Sequence, residues 1–154
     1  MPIEIRDARE EDLPGVLRVL AESGIDSGAS FTLDEAREHL ARLRQSPNFR
    51  LLVVLADGAI AGTYSLLIMD KLGKRGARAG VVEDVAVLPG MQGQGIGRAM
   101  MEHAIGECRR AGCYKLALSS NVKRGTAHRF YESLGFERHG YSFAVFLEGS
   151  ATPR

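Results

Sequence analysis

The chain has 154 residues, of which 45 % are hydrophobic and 25 % charged, with a formal net charge of +1. That length fits one domain over residues 1–150 with a frayed tail at 151–154, and the balanced charge makes no whole-protein case for a nucleic-acid or membrane partner. No apolar run approaches the roughly 20 residues that span a bilayer, and the opening MPIEIRDAREEDLPG is too acidic and too broken for a signal peptide, so a cytoplasmic protein is expected.

In chain order, Ile3 to Arg6 reads as a short strand. Glu10, Glu11 and Asp12 followed by Leu13-Pro14 mark a helix start, because acids suit the positive end of the helix dipole and proline is tolerated in the first turn. Leu13, Val16, Leu17 and Leu20 keep helical spacing, and the Gly/Ser-rich stretch Ser23 to Ser30 ends that helix. Thr32, with Glu35 three residues on, forms a capping-box pattern for a second helix that runs to about Gln45. Arg50 to Ala56 and Ile60 to Met69 are strand-like, and Asp57-Gly58 between them is a hairpin signal. A basic, glycine-rich loop spans Asp70 to Gly80. Val81 to Leu88 is a third long strand, stopped by Pro89-Gly90. Ile96, Met100, Ala104 and Cys108 lie four apart in a helix from Gly95 to Ala111, with Gly112 as its stop. Tyr114 to Leu118 is a strand, Thr126 to Leu134 a short helix ended by Gly135, and Tyr141 to Leu147 the last strand. Runs of sequential strands argue for antiparallel pairing, and the crossover from Val81 to Leu118 adds one parallel pair. The expected class is α/β of the α+β kind: a mixed, mostly antiparallel twisted sheet of about six to seven strands with about four helices.

Cys108 and Cys113 are the two cysteines. Two thiols build no disulfide framework, and no second Cys/His pair completes a zinc site, so both read as buried or half-buried thiols and no metal is expected.

The stretch from Val81 to Gly97, VVEDVAVLPGMQGQGIG, carries the chemistry. Gly93, Gly95 and Gly97 stand where the long helix begins. A helix N-terminus offers unpaired N–H groups and about half a positive charge, and glycines let an anion approach the backbone. The pattern suits a phosphate cradle, with a plain strand-to-helix turn as the rival reading. A mononucleotide loop needs Gly-Lys-Ser/Thr, and here Gly97-Arg98-Ala99 follows. A dinucleotide fingerprint needs an acid about 20 residues on, where Ala117-Leu118 stand. In the strand itself, adjacent Glu83 and Asp84 should point to opposite faces. If both faces are covered, at least one acid is buried, which is costly and raises its pKa. A bulge, a cationic partner or a water-lined cleft would compensate.

Gln92-Gly93-Gln94-Gly95-Ile96-Gly97, after the hydrophobic strand and Val87-Leu88-Pro89, resembles the Gln/Arg-x-x-Gly-x-Gly/Ala signature of the GCN5-related N-acetyltransferases. Asn121, then Ala127-His128-Arg129-Phe130-Tyr131-Glu132, then Leu134-Gly135-Phe136 resembles that family's last acetyl-CoA element. The two motifs cover Val81 to Phe136, and the element order fits as well. The resemblance implies the GNAT fold and acetyl-CoA as co-substrate. It implies that backbone N–H groups from Gln92 to Arg98 bind the coenzyme's pyrophosphate. It also implies a β-bulge at the acids, a strand that splays from its neighbour, and a pantetheine arm bonded to Val85, Ala86 and Val87.

The resemblance then distributes roles. An amine must lose a proton before attacking a thioester, and Glu83 is the expected base, directly or through water, with Asp84 second. The Val85 N–H is the expected oxyanion donor, Tyr131 the acid for the departing thiolate, and Asn121 a coenzyme contact. For Tyr131 the rival is core packing, because Ala127, Phe130, Tyr131 and Leu134 share one helical face. Val82 to Val87 with Gly112-Cys113-Tyr114-Lys115 looks like glucosamine-6-phosphate N-acetyltransferases, although serines 119 and 120 replace the acid those enzymes carry. Ser119 to Arg124 with Ala127 to Tyr131 looks like aminoalkylphosphonate N-acetyltransferases. Both acceptors pair an amine with a phosphorus oxyanion. Lys71, Lys74, Arg75 and Arg78 in one cluster, and Lys123, Arg124 and Arg129 in another, could hold such a dianion or the coenzyme's 3′-phosphate. The expected function is acetyl transfer to a small primary amine. The alternatives are a non-catalytic acetyl-CoA-binding module and an acetyltransferase of peptide or protein amines. Homodimerisation is expected by family analogy.

Overall fold

In the computed structural model, which describes residues 1–26, 28–119 and 125–147, local chemistry sets the element boundaries. Strand β1 (Ile3–Asp7) leads to helix α1 (Leu13–Glu22). Its acidic entrance does more than meet a dipole: Asp12 is buried, accepts the Arg9 N–H at 2.7 Å and pairs with both terminal nitrogens of Arg6 at 2.6 and 3.1 Å. Those bonds to Arg6, above all, hold the Asp12 carboxyl below its usual range. Helix α2 (Leu33–Leu43) starts with the expected capping box. The Glu35 N–H donates to the Thr32 hydroxyl at 3.2 Å, and the Thr32 N–H donates back to the Glu35 carboxylate at 2.9 Å.

Strands β2 (Phe49–Ala56) and β3 (Ala59–Met69) form a hairpin across Asp57-Gly58, both with positive φ, as a primed two-residue turn demands. A single turn, α3 (Gly73–Gly76), contains left-handed Lys74 and Arg75. Strand β4 (Arg78–Val87), helix α4 (Ile96–Arg110), strand β5 (Cys113–Ala117) and helix α5 (Gly125–Ser133) follow. The sheet runs β1-β2-β3-β4-β5, antiparallel except for the parallel β4–β5 pair that the crossover through α4 requires. The class is the expected one. The sheet has five strands rather than six to seven, because residues 141–147 join no ladder among the described residues. The loop after β3 also ends earlier than expected. Arg78, Ala79 and Gly80 belong to β4, and a buried Gly80 is part of the core rather than a turn.

Helices cover both faces. On one face α4 and α5 pack over Leu52, Val54, Tyr64, Leu66 and Val82, with Ile96, Met100, Met101, Ala104 and Cys108 as the helix contribution. On the other, Val16 and Val19 of α1 pack on Val53, Ala86 and Leu88, and Leu13 meets Ala36 and Leu40 of α2 over Leu51. Each such side chain contributes about 1.5–3 kcal/mol when fully buried. Cys108 is buried and Cys113 half-buried, both as free thiols. Burial, then Cys113, push the Cys108 thiol up to about 12, so it stays protonated and serves as a small hydrophobe.

One polar chain ties α4 to three strands. The hydroxyl of fully buried Tyr64 lies 2.6 Å from His103 Nδ1, His103 Nε2 faces Glu107 at 3.4 Å, Glu107 meets Arg50 at 3.0 Å, and Arg50 pairs with Asp7 at 2.9 and 3.1 Å. Burial lowers the His103 pKa, reinforced by Arg50 and Arg110 and opposed by Glu107 and Asp7. Burial alone would raise Glu107, but its bonds to Arg110 and Arg50 hold it below the usual range. A neutral imidazole with Nε2–H toward Glu107 leaves Nδ1 to accept the Tyr64 hydroxyl.

Two outcomes follow. An added Cβ at Gly80 would run into the Cys108 sulfur. Gly80→Ala should therefore lower unfolding free energy by about 1–3 kcal/mol, and Cys108→Ala should restore most of it, read by urea denaturation of the single and double variants. Protonation favours unfolded His103 over folded, so its contribution is intact above the unfolded value of 6.5 and is lost as pH falls below it toward the lower folded pKa. Wild-type stability should drop across that window, and His103→Gln, which can still bond Tyr64 and Glu107, should flatten the drop. Identical pH profiles would disprove the assignment.

Candidate active site

The site is built around one extra residue in β4. Thr63 pairs with Ala86 and Ser65 with Glu83, so Asp84 and Val85 together oppose Tyr64. Asp84 has φ 53°, a left-handed conformation that a non-glycine side chain rarely adopts. The bulge resets the alternation. Val85 and Val87 join Val82 on the α4 face, while Ala86 and Leu88 face α1. Glu83 and Asp84 both emerge exposed. The burial expected of at least one acid therefore does not occur, because the bulge turns the pair out of the covered faces. Asp84 still feels its cleft: partial burial first, then the carboxylate of Asp26 in the α1–α2 loop, raise its pKa. Glu83 forms no ion pair among the described residues.

The pairing with β5 ends before the bulge, where β5 itself ends at Ala117. That ladder runs from Arg78–Cys113 to Val81–Ala117 and stops, although β4 continues to Val87. From Val82 onward, the β5 side of β4 has no strand against it among the described residues, and Val85, Ala86 and Val87 lie along this open edge.

At the end of β4 the chain passes through a short 3-10 turn, Pro89–Met91, into α4. Gly93 and Gly95 have φ of 79° and 84°, and open space surrounds an imagined Cβ at each. Their glycine identity is thus dictated by the left-handed turn. Gly97 differs: a Cβ there would press on the ring of Phe130 at 3.2 Å, so its smallness lets α5 approach α4. Gly95 is the N-cap and has no side chain to cap with; the first helical bond is from the Ala99 N–H to the Gly95 carbonyl at 3.0 Å. The N–H groups of Ile96, Gly97 and Arg98 precede it and point out of the helix end. No acid lies in this first turn to neutralise the dipole. Gln92 and Gln94 are exposed on the same turn, as is Arg98, whose guanidinium lies 3.6 Å from Glu102.

Tyr131 on α5 is half-buried against the α4 core, edge-on to Phe130 and Phe136 with ring centroids 5.2 and 5.8 Å away. Arg129 is exposed on the same helix. Asn121, Lys123 and Arg124 lie outside the described residues. The other basic cluster is misplaced for the cleft. Arg78 pairs with Asp70 at 2.9 Å and Lys71 bonds the Tyr114 hydroxyl at 2.8 Å. Arg78 opens β4, roughly 20 Å of strand from the bulge at about 3.3 Å per residue, and Lys71 lies in the loop before it. A cavity of about 250 Å³ lined by Leu40, Arg44, Phe49 and Arg50 lies beneath α2 and contains none of the candidate residues. Among the described residues, no group of three or more His, Cys, Asp or Glu could hold a metal, and no helix is long and apolar enough to cross a membrane. Sequence reading missed Tyr64, His103 and Asp26. Tyr64 and His103 are separated by 39 positions, and no local pattern pairs them.

Known proteins resemble this chain in sequence and fold. The model of the acetyltransferase (GNAT) family matches residues 16–136. The chain is 32 % identical over 151 residues to an aminoalkylphosphonate N-acetyltransferase of Salmonella typhimurium, covering 96 % of this chain and 94 % of that one. It is 26 % identical over 149 residues to a glucosamine 6-phosphate N-acetyltransferase of Arabidopsis thaliana, covering 95 % and 94 %. Among solved structures, a putative acetyltransferase of Agrobacterium tumefaciens superposes with a TM-score of 0.86 at 29 % identity, covering 94 % of this chain and 99 % of that chain. Fold, motif order and full-length relatives agree, and the chain belongs to the acetyltransferase (GNAT) family of enzymes.

Proposed function

We propose that the chain, as one catalytic domain over residues 1–150, moves the acetyl group of acetyl-CoA to the primary amine of a small molecule by direct attack in a ternary complex, in the cytoplasm and as a homodimer. The observation that carries this reading is the junction of an uncapped, glycine-led helix N-terminus with a strand edge that β5 leaves open beyond Val81. A diphosphate suits the N–H groups from Gln92 to Arg98, and an amide-bearing arm suits the edge at Val85, Ala86 and Val87 as an added strand. Asn121 and Arg129 complete the proposed coenzyme contacts.

The acceptor arrives as an ammonium ion, which neighbouring carboxylates attract. A carboxylate takes its proton, directly or through water. The amine nitrogen then bonds the thioester carbon, and the oxyanion accepts the Val85 N–H. The C–S bond breaks, the thiolate takes a proton from the Tyr131 hydroxyl, and the acetylated nitrogen gives up its second proton, which returns through water to the Tyr131 oxygen, leaving neutral N-acetylated product and free coenzyme A. Glu83 is the proposed base. A second reading assigns the base to Asp84, favoured by its raised pKa at the bulge. The acceptor class we favour bears a phosphate or phosphonate beside its amine. The names of the 32 % and 26 % identical relatives support this. Arg129 is the described cation nearest in sequence to Tyr131.

Gly95→Asp would force a side chain into a left-handed position and set a carboxylate at the helix mouth. Acetyl-CoA affinity should fall at least about tenfold by calorimetry, and retained affinity would refute the cradle. An amine panel of aminoalkylphosphonates, hexosamine phosphates, polyamines and peptide N-termini, followed by thiol release, tests the acceptor. No thiol release with any amine, alongside intact coenzyme binding, would favour the non-catalytic module. On the best amine, the variant lacking the true base should lose roughly 10²–10⁴-fold in rate. A base works only when ionised, so wild-type kcat/KM should decline as pH falls through the carboxyl pKa. Comparing Glu83→Gln with Asp84→Asn identifies whose removal abolishes that limb. Tyr131→Phe should slow turnover with Tm kept, and unchanged turnover would assign the ring to packing alone.

A further inference from the structure

In the proposed function acetyl-CoA is held at two places, its diphosphate at the mouth of α4 and its thioester beside the bulge of β4. The two places belong to different elements, so their separation is set by whatever seats α4 on the sheet. Apolar burial does part of this: Ile96, Met100, Met101, Ala104 and Cys108 press on Leu52, Val54, Tyr64, Leu66 and Val82. Burial of that kind is non-directional. It keeps α4 on the sheet but tolerates a small slide along the helix axis, which a hydrogen bond resists through its narrow range of distance and angle.

Among the described residues, the first two turns of α4 make no hydrogen bond to the sheet. The Ala99 N–H bonds back to Gly95, and Arg98 pairs with Glu102 on the helix itself. Counted from the mouth, the first polar tie is His103, the eighth residue of the helix, roughly 10 Å along the axis at about 1.5 Å per residue. Its Nδ1 lies 2.6 Å from the Tyr64 hydroxyl, and the two rings meet edge-on at 75°. Tyr64 is fully buried and stands opposite Asp84 and Val85 in the ladder. One bond thus joins the residue facing the bulge to the helix that carries the mouth. The imidazole is braced from behind, because Nε2 faces Glu107 at 3.4 Å and Glu107 meets Arg50 of β2 at 3.0 Å. A buried hydroxyl left without a partner is costly, so the bond opposes any slide that would break it.

We infer that Tyr64 and His103 are positioning residues for acetyl transfer: their hydrogen bond sets the helix mouth at the distance from the bulge that lets one acetyl-CoA molecule meet both. The inference rests on the coenzyme site proposed above. Each side chain acts through backbone, Tyr64 through the bulge across from it and His103 through the mouth of its own helix. Loss of the bond leaves each half of the site intact and misaligns the pair. A ligand that fills the mouth alone does not sense the change, whereas one that spans mouth and bulge does.

Calorimetry with two probes tests this. Adenosine 3′-phosphate 5′-diphosphate carries the diphosphate without the arm, and acetyl-CoA carries both. In Tyr64→Phe and in His103→Leu the fragment should bind within about twofold of wild type, and acetyl-CoA about tenfold or more weakly. On the amine that gives thiol release, kcat at saturating acetyl-CoA should fall roughly 10–100-fold, the scale of a misplacement of about 1 Å. The double variant should lose no more than either single one, because both remove the same bond. His103→Asn sets an amide oxygen near the place of Nδ1 and should recover most of the loss. Tyr64→Phe, which removes a single oxygen, keeps the test open if His103→Leu does not fold. Unchanged acetyl-CoA affinity and kcat in folded Tyr64→Phe overturn the inference and leave the coenzyme site standing. Equal weakening of both probes, the mark of general loosening, overturns it in the same way, as does a folded His103→Asn variant no better than His103→Leu. A wild type that binds neither probe overturns the inference and the coenzyme site together.

Discussion

One inserted residue in one strand organises this molecule. Asp84 and Val85 share a single partner, Tyr64, across the β3–β4 ladder, and a bulge of this kind bends and twists the strand that carries it. As far as Val81, β4 is an interior strand bonded on both sides; from Val82, through the bulge and beyond, it pairs with β3 alone among the described residues. The same insertion shifts the side-chain phase, so that Val82, Val85 and Val87 all serve the α4 core while Ala86 and Leu88 serve the α1 core. Without the shift, Val82 and Val85 would face opposite ways, and Glu83 and Asp84 would each lie against a covered face.

The residue opposite the bulge anchors the helix that forms the other half of the site. Tyr64 is fully buried, and its hydroxyl meets His103 two turns into α4. Through Glu107, Arg50 and Asp7 the same chain of contacts reaches β2 and β1. Buried polar groups are costly unless each is satisfied, and among the described residues no buried side-chain polar atom lacks a partner. The network therefore fixes α4 over the sheet with its uncapped N-terminus at the end of β4. The same packing sets the uncapped helix mouth beside the strand edge that β5 leaves unpaired.

The charge distribution follows the same axis. The mouth of α4 has no acid in its first turn, whereas the bulge displays Glu83 and Asp84, with Asp26 close enough to raise the Asp84 pKa. An anionic group is favoured at one end and a cationic one at the other, the polarity that a diphosphate donor and an ammonium acceptor need in the proposed function. The basic cluster around Arg78 belongs to neither end. It neutralises Asp70 and bonds Tyr114 at the start of the strand.

Much of this was legible in the sequence because it is local. The capping box at Thr32 and Glu35, the Asp57-Gly58 turn, the Gly112 stop and the four-residue spacing from Ile96 to Cys108 each depend on neighbours within a few positions, and each formed. The family motifs around Gln92–Arg98 and Ala127–Phe136 were equally readable. What the sequence did not reveal depends on residues far apart. Gly80 read as loop because its reason for being glycine is the Cys108 sulfur on another element. Gly97 read only as part of the anion cradle, and its second reason for being glycine is the Phe130 ring, 3.2 Å from where a Cβ would stand. The last apolar segment read as one more strand, because periodicity reports which face is apolar and says nothing about which edge will accept it. Sequence by itself determined most of the elements, their order and the family. Only tertiary structure decided that Asp84 carries the left-handed bulge and a raised pKa, and that Tyr64 and His103 hold α4 in place. Those outcomes arise from packing between residues dozens of positions apart, where no local propensity operates.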